Sequence, residues 1–174
     1  MAAKSSKEIA SDRVLDQVDR NILRALQAEG RLSNVELARR VNLSPTPCLE
    51  RVRRLEREGY IKGYRAILDP MKLDAALMIL VQVTLDRTTP ETFEQFRKIV
   101  EGLPEVLECH MVSGGFDYLL KVRMPDMATY RKFLGEGLAE MSAIAQTHSY
   151  VVMEEVKTDS PLPIHELSEA LETE

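Results

Sequence analysis

The residues best suited to chemistry cluster in SPTPCLERVRRLEREGYIKGY, which spans 44–64 and carries arginine at 51, 53, 54 and 57. A guanidinium is permanently charged and its planar fork matches a guanine edge or a phosphate, so the cluster suits a polyanion. On a helix, Cys48, Val52 and Leu55 fall at i, i+4 and i+7 and turn inward, leaving Thr46, Pro47, Glu50, Arg51, Arg54 and Arg57 outward. The amino-terminal end of such a helix enters a DNA major groove. Thr46, Pro47 and Arg51 are expected at base edges, and Arg54 and Arg57 nearer phosphates. Ser33, Arg39, Arg40 and Ser44, just upstream, complete the candidate DNA contacts. The competing reading pairs the arginines with Glu50, Glu56 and Glu58 on a solvated helix face. The surplus of arginine favours DNA.

Catalytic chemistry has little to work with. Cys109 and His110 are neighbours on an expected strand and face opposite sides, which rules out a nucleophile–base pair. His110 and His148 could meet across strands, but no cysteine or carboxylate spacing completes a metal set. No catalytic residue, metal or cofactor is expected, and His110, His148 and His165 are read as structural or solvated.

The elements that position the arginines follow from capping and periodicity. Residues 1–14 are small and polar and are expected as a flexible arm. Val18, Ile22 and Leu26 repeat every four residues between a capping Asp16 and a terminating Gly30, which predicts a first helix. Ser33 and Glu36 form a capping box opening a short second helix with Val35, Leu37, Ala38 and Val41 inward. Asn42 tolerates the left-handed turn that ends it, and Ser44-Pro45 starts a third helix that stops at Gly59. Three short helices with a tight turn between the last two describe a helix-turn-helix over 15–62.

Beyond a linker over 63–75 the period changes to two. Leu77, Ile79, Val81, Val83 and Leu85 share one face of a strand; a helix follows with Phe93, Phe96, Ile99 and Leu103. Two strands flank Gly114-Gly115, which reads as a hairpin turn, Asp126 caps a helix running to Met141, and AQTHSYVVMEEVK supplies a last strand. The order β-α-β-β-α-β over 76–157 is the split βαβ, ferredoxin-like arrangement, so the fold class is α+β. Residues 158–174 are expected as a tail. With helices on one side only, one sheet face needs a cover. Met78, Leu80, Leu107, Cys109, Met111, Leu119, Val151 and Met153 are expected there, and pairing with a second copy buries them most cheaply. The resulting dimer would set two recognition helices about 34 Å apart.

Composition agrees with this division. The 174 residues are 44% hydrophobic and 29% charged, an ordinary globular balance. Residues 1–65 carry 14 Lys+Arg against 9 Asp+Glu, a net +5, whereas 66–174 carry 9 against 19, a net −10. A basic module that meets a polyanion is joined to an acidic one with another task. The longest apolar run, Ala75 to Val81, is too short to span a bilayer, so no membrane association is expected. Two cysteines 61 positions apart suit a reducing compartment, and the start lacks a secretory signal, which together predict a cytoplasmic protein.

The motifs NVELARRVNLS and SPTPCLERVRRLEREGYIKGY closely resemble the Lrp/AsnC family of prokaryotic transcription regulators, and the likeness continues through FEQF, ECHMVSGGFDYLLKVRMPDM, YRK and SYVVMEEVK. It covers roughly 15–157. The resemblance implies a winged or plain helix-turn-helix on double-stranded DNA, a strand linker at about Gly63 to Asp69, and a ferredoxin-like effector domain. It also implies homodimers that assemble into tetramers, octamers or larger rings. In the family the loop matching Ser113, Gly114, Gly115, Phe116, Asp117 and Tyr118 holds a free amino acid such as leucine, and Met111, Met127, Tyr150, Val151 and Val152 match positions tied to the effector response. The chemistry fits a zwitterion: bare glycine backbone can approach a carboxylate and Asp117 can pair with an ammonium. Gly115 departs from the leucine-responsive members, which carry an acidic residue there. A ligand-insensitive, nucleoid-architectural DNA-binding protein is the alternative.

Overall fold

The computed structural model describes residues 15–138 and 143–165. The expected arm over 1–14, the end of the last helix at 139–141 and the tail beyond 165 lie outside the described residues. The chain divides into two compact units: residues up to Ala66 with those from Lys157 onward, and Ile67–Val156.

The first unit holds three helices. Helix α1, Gln17–Ala28, opens where Asp16 and Asp19 cap each other's backbone N–H, and it closes at Glu29. Helix α2, Asn34–Arg40, starts at Ser33, whose Oγ accepts the Glu36 N–H at 3.2 Å. Asn42 then takes the left-handed conformation, φ 55°, so that Leu43 N–H reaches Ala38 O at 2.9 Å. Helix α3, Pro45–Arg57, stops at Gly59, whose φ of 79° is strained for any side chain. Ile22, Leu37, Ala38, Val41, Cys48 and Leu55 form the core. Val35, expected inward, is 67% exposed. At 100° per residue it stands roughly 110° from the direction shared by Leu37, Ala38 and Val41, so this short helix cannot bury all four.

Residues 61–69, expected to include a strand linker, belong to no sheet, because no ladder partner exists among the described residues; a 3₁₀ turn over Pro70–Leu73 follows. The second unit then runs β1 (Leu77–Leu85), α4 (Pro90–Glu101), β2 (Val106–Met111), β3 (Tyr118–Met124), α5 (Met127–Lys132) and β4 (Ile144–Val151). The sheet order is β2-β3-β1-β4 and every pairing is antiparallel. This is the expected α+β, ferredoxin-like topology. Ile79, Val81, Val83, Leu120 and Val122 are buried beneath Phe96, Val100, Tyr130 and Phe133 of the helical layer. The last helix is not uniform: after Lys132 it widens into a π-helical turn, Phe133–Leu138, where two glycines weaken the α ladder.

Register revises the bare sheet face. Met78, Leu80 and Leu119 lie on it, joined by Gln82, Tyr150, Glu108, His110 and Lys121. Val151 sits opposite Ile79, Cys109 opposite Leu120 and Met111 opposite Tyr118, which places these three on the helical side. The irregularity between Val106 and Glu108 shifts β2 by one residue and reverses its alternation.

Candidate DNA interface and effector site

Helix α3 presents two parallel stripes. Thr46, Glu50, Arg53 and Arg57 recur at i, i+4, i+7 and i+11, and all four are exposed. Pro47, Arg51 and Arg54 form the second stripe and are half-buried. The arginines of this second stripe reach α1: Arg51 Nη1 lies 2.6 Å from Asp16 Oδ2 and 2.8 Å from Asp19 Oδ1, and Arg54 Nη2 lies 2.5 Å from Asp19 Oδ2. Asp19 is 1% exposed. The expectation that Arg51 and Arg54 project freely outward is therefore corrected: both fasten α3 to α1, and the outward place belongs to Arg53 beside Arg57. The missed partner was Asp19; Asp16 and Asp19 share the spacing of Arg51 and Arg54, a complementary i, i+3 pattern.

These pairs polarise their members. The hydrogen bonds that Arg51 donates to Asp16 and Asp19 push its guanidinium above its ordinary pKa. Burial works to raise the Asp16 carboxyl, but the Asp19 N–H and Arg51 outweigh it and hold the group below the usual carboxylate range. Ahead of α3, Ser33 caps α2, and Ser44 stands at the α3 amino terminus with no side-chain capping bond. Arg39 is exposed, 3.8 Å from Glu36. Arg40 pairs with Glu29 at 2.7 Å, which raises its pKa. Asn34 Nδ2 donates to Pro45 O at 2.8 Å and fixes the turn between α2 and α3.

The residues expected to hold an effector do not converge within one chain. Met111, Ser113, Gly114, Gly115, Phe116 and Asp117 lie at the sheet end where Tyr118 pairs with Val83. Tyr150, Val151 and Val152 lie at the other end: Tyr150 opposite Leu80, Val151 opposite Ile79, and Val152 N–H on Met78 O. Met127 opens α5 just past Met124, which pairs with Leu77 at that same end. Four strand positions separate Ile79 from Val83, about 13 Å.

The loop departs from a tight hairpin. Val112 N–H bonds Asp117 O at 3.0 Å and closes a wider turn. Gly114 and Gly115 have no left-handed φ, and a Cβ at either meets nothing within 4 Å. Asp117 Oδ2 accepts the Leu85 N–H at 2.8 Å, so part of this carboxylate anchors the loop to β1. Tyr118 is 5% exposed and its ring stacks on Phe96 at 4.2 Å, which makes it a core residue rather than a ligand contact.

The histidines stay apart. His110 and His148 occupy one row across the sheet, but β3 and β1 lie between them, so they are about 14 Å apart and cannot share a ligand. His110 instead pairs with Glu108 at 3.2 Å and, with Lys121, holds that carboxyl below its ordinary pKa. Among the described residues no helix is long and apolar enough to cross a membrane.

Comparison with known proteins accounts for both units. Residues 15–62 match the winged helix-turn-helix DNA-binding family, and residues 78–162 match the Lrp/AsnC ligand binding domain. The chain is 60% identical over 150 residues to the leucine-responsive regulatory proteins of Klebsiella pneumoniae and Escherichia coli K12, covering 86% of this chain and 92% of each relative. Among solved structures, a transcriptional regulator of Neisseria meningitidis in complex with L-methionine superposes with a TM-score of 0.82 at 37% identity, covering 86% of this chain and 97% of that one. An AsnC family regulator from Agrobacterium tumefaciens gives 0.81 at 36% identity, covering 85% and 96%. With a helix-turn-helix, a ligand-binding sheet domain and relatives matched over most of its length, the chain belongs to the Lrp/AsnC family and is a ligand-responsive, DNA-binding transcription regulator.

Proposed function

We propose that this cytoplasmic regulator reads operator DNA with Thr46, Glu50 and Arg53 of the exposed α3 stripe, while Arg57 at the carboxy-terminal end of that stripe meets phosphate. Pro47 packs beside Thr46 at the base edges, Ser33, Ser44, Arg39 and Arg40 seat the helix on the backbone, and a free aliphatic amino acid tunes binding at a site completed only when copies assemble. Residues 15–62 form the DNA-binding domain, 63–75 the linker and 76–157 the effector domain. Arg51 reaches a base edge only by exchanging its Asp16 contact; Arg54 acts mainly by fixing the helix.

The observation that carries the effector reading is the split of the candidate site between opposite ends of one sheet. A small zwitterion cannot touch both groups in one chain, but the loop of one copy set against the Tyr150 end of another would enclose it. The ligand then changes DNA affinity through its different affinity for two assembly states. The relative solved with L-methionine supports an aliphatic amino acid as the ligand class.

The test titrates leucine, methionine and alanine while sedimentation and operator affinity are followed at one salt concentration. A change in both with at least one amino acid is expected. Operator binding indifferent to all three, with similar affinity for random DNA, would favour an architectural role instead.

A further inference from the structure

Helix α1 has a polar stripe that neither the core nor the DNA reading uses. Arg20, Arg24 and Gln27 fall at i, i+4 and i+7 and all three bind backbone atoms of one distant segment. Arg20 Nη1 donates to His165 O at 3.0 Å and Arg24 Nη2 to Ile164 O at 2.6 Å. Gln27 makes a two-sided contact with one residue, accepting from Leu162 N–H at 2.7 Å and donating to Leu162 O at 3.2 Å. Beside the stripe, Leu23, Leu26 and Ile61 face Leu162, Pro163 and Ile164 across a cavity of about 360 Å³.

We propose that this face of α1 is a docking surface for the chain's own segment Pro161–His165, which acts as a strap between the ligand-binding sheet and the DNA-binding helices. The segment is held by its backbone, the mode in which an extended peptide is recognised. Burial is light: Leu162 remains 76% exposed and Ile164 only half-buried, so the strap is built to detach. Its other end is secured. Glu155, just after β4, pairs with Arg123 of β3, and only residues 156–161 separate Glu155 from Leu162. Rearrangement at the end of β4, where Tyr150–Val152 lie, therefore pulls on a short span whose far end holds α1, the helix that anchors Arg51 and Arg54. The linker supplies one covalent route between the units and the strap supplies a second. The regulatory part rests on the proposed amino-acid effector; the docking itself does not.

The experiment compares the full chain, a chain ending at Asp159, and Gln27→Ala, whose exposed site leaves the core intact. Amide exchange is read without DNA or amino acid. Residues 24–28 and 60–64 should exchange about 10-fold faster in both variants. Unchanged exchange in both would overturn the docking. Operator affinity is then measured with and without leucine or methionine. Both variants should bind within about 3-fold of the full chain without ligand, while losing most of the ligand-driven change, which for a typical allosteric coupling is roughly 5- to 150-fold. A full response in the variants would overturn the strap's regulatory role. A full chain that answers no amino acid defeats the effector reading and the coupling that rests on it, while the exchange result still decides the docking. Should the truncated chain fail to fold, Gln27→Ala decides both.

Discussion

Asp19 Oδ2 lies 2.5 Å from Nη2 of Arg54, and the carboxylate that makes this contact is almost wholly removed from solvent. A buried charge without a partner is costly, so the pair is worth most as a constraint on how α3 sits against α1. Arg51 shares the same carboxylate, which makes the three residues one unit. Replacing Asp19 by Ala breaks both ion pairs and the cap on the Asp16 N–H, and should lower stability by about 2 kcal/mol rather than more because both arginines can regain water. Arg54→Ala should cost about 3 kcal/mol by leaving Asp19 with Arg51 alone. Urea unfolding of both variants and the double variant should give a coupling energy of about 1–3 kcal/mol; simple additivity would show that the pair does not set the helix contact.

The two arginine stripes predict two kinds of DNA phenotype. Arg57→Ala should weaken specific and random DNA alike and flatten the salt dependence by about one unit of slope. Arg53→Ala should act at least as strongly, because Arg53 faces out where Arg51 does not. Arg51→Ala should combine a moderate loss of affinity with a fall in stability of about 1 kcal/mol, since its two carboxylate bonds are lost. Salt-dependent operator titration alongside thermal melts separates these outcomes. Arg51→Ala with unchanged melting would contradict the pinned geometry.

What the residues foretold and what they hid divide along a physical line. Local signals were reliable: Asp16, Ser33 and Asn42 cap or end the helices where their side chains demand it, and the strand alternation placed Ile79, Val81 and Val83 in the core. Contacts set by tertiary packing were not visible. Spacing put Arg51 and Arg54 outward because a helix of known period has an outward side, but only the position of α1 reveals a buried Asp19 waiting there. The β2 irregularity likewise reverses the faces of Cys109 and Met111 without any glycine or proline to announce it. The split effector residues carry the same lesson, since sequence proximity to a motif says nothing about which end of a sheet a residue occupies.

Asp16 gives the regulator a defined acid sensitivity. Its folded pKa is held below the ordinary value near 3.8, so its contribution is complete above the unfolded value and is lost as pH falls through the lower, folded one. Stability should therefore decline below about pH 4. Asp16→Asn keeps the cap and removes the charge, so the stability gap between wild type and variant should shrink towards zero as pH falls from 6 to 3. The half-exposed side chain limits that gap to below about 1 kcal/mol. A gap that widens on acidification would reverse the assignment.

Gly115 separates folding from ligand choice. A side chain there meets open space and strains no backbone angle, so Gly115→Asp should change stability by less than about 0.5 kcal/mol. Placed in the loop with Asp117, the added carboxylate should alter which amino acid shifts operator affinity. Calorimetric titration with leucine, methionine and alanine checks this. An altered melting point with unaltered ligand preference would mean that the glycine serves the fold after all.

The bare sheet face sets the last expectation. Met78, Leu80 and Leu119 are apolar and only half-buried there, with Tyr150 half exposed beside them, its hydroxyl 3.4 Å from Gln82 Oε1. Glu108 and His110 of β2 and Lys121 of the neighbouring β3 lie at one side of the same face, so a cover that matches it must be apolar over Met78, Leu80 and Leu119 and polar over this charged side. A second copy turned about a two-fold axis through the apolar patch is expected to meet both demands, since it sets that patch against its own equivalent and leaves the charged side at the rim of the contact. Leu80→Glu places a charge at the centre of that contact while leaving the helical side of the sheet untouched. Sedimentation at micromolar concentration should show the variant as a monomer with unchanged helix content by circular dichroism. Its operator affinity should fall by more than 10-fold, because two half-sites are no longer engaged together. A variant that remains a dimer would move the contact to another surface, and the exposed apolar residues Ile67, Leu68, Met71 and Leu73, which precede β1 in the chain, would be the next to test.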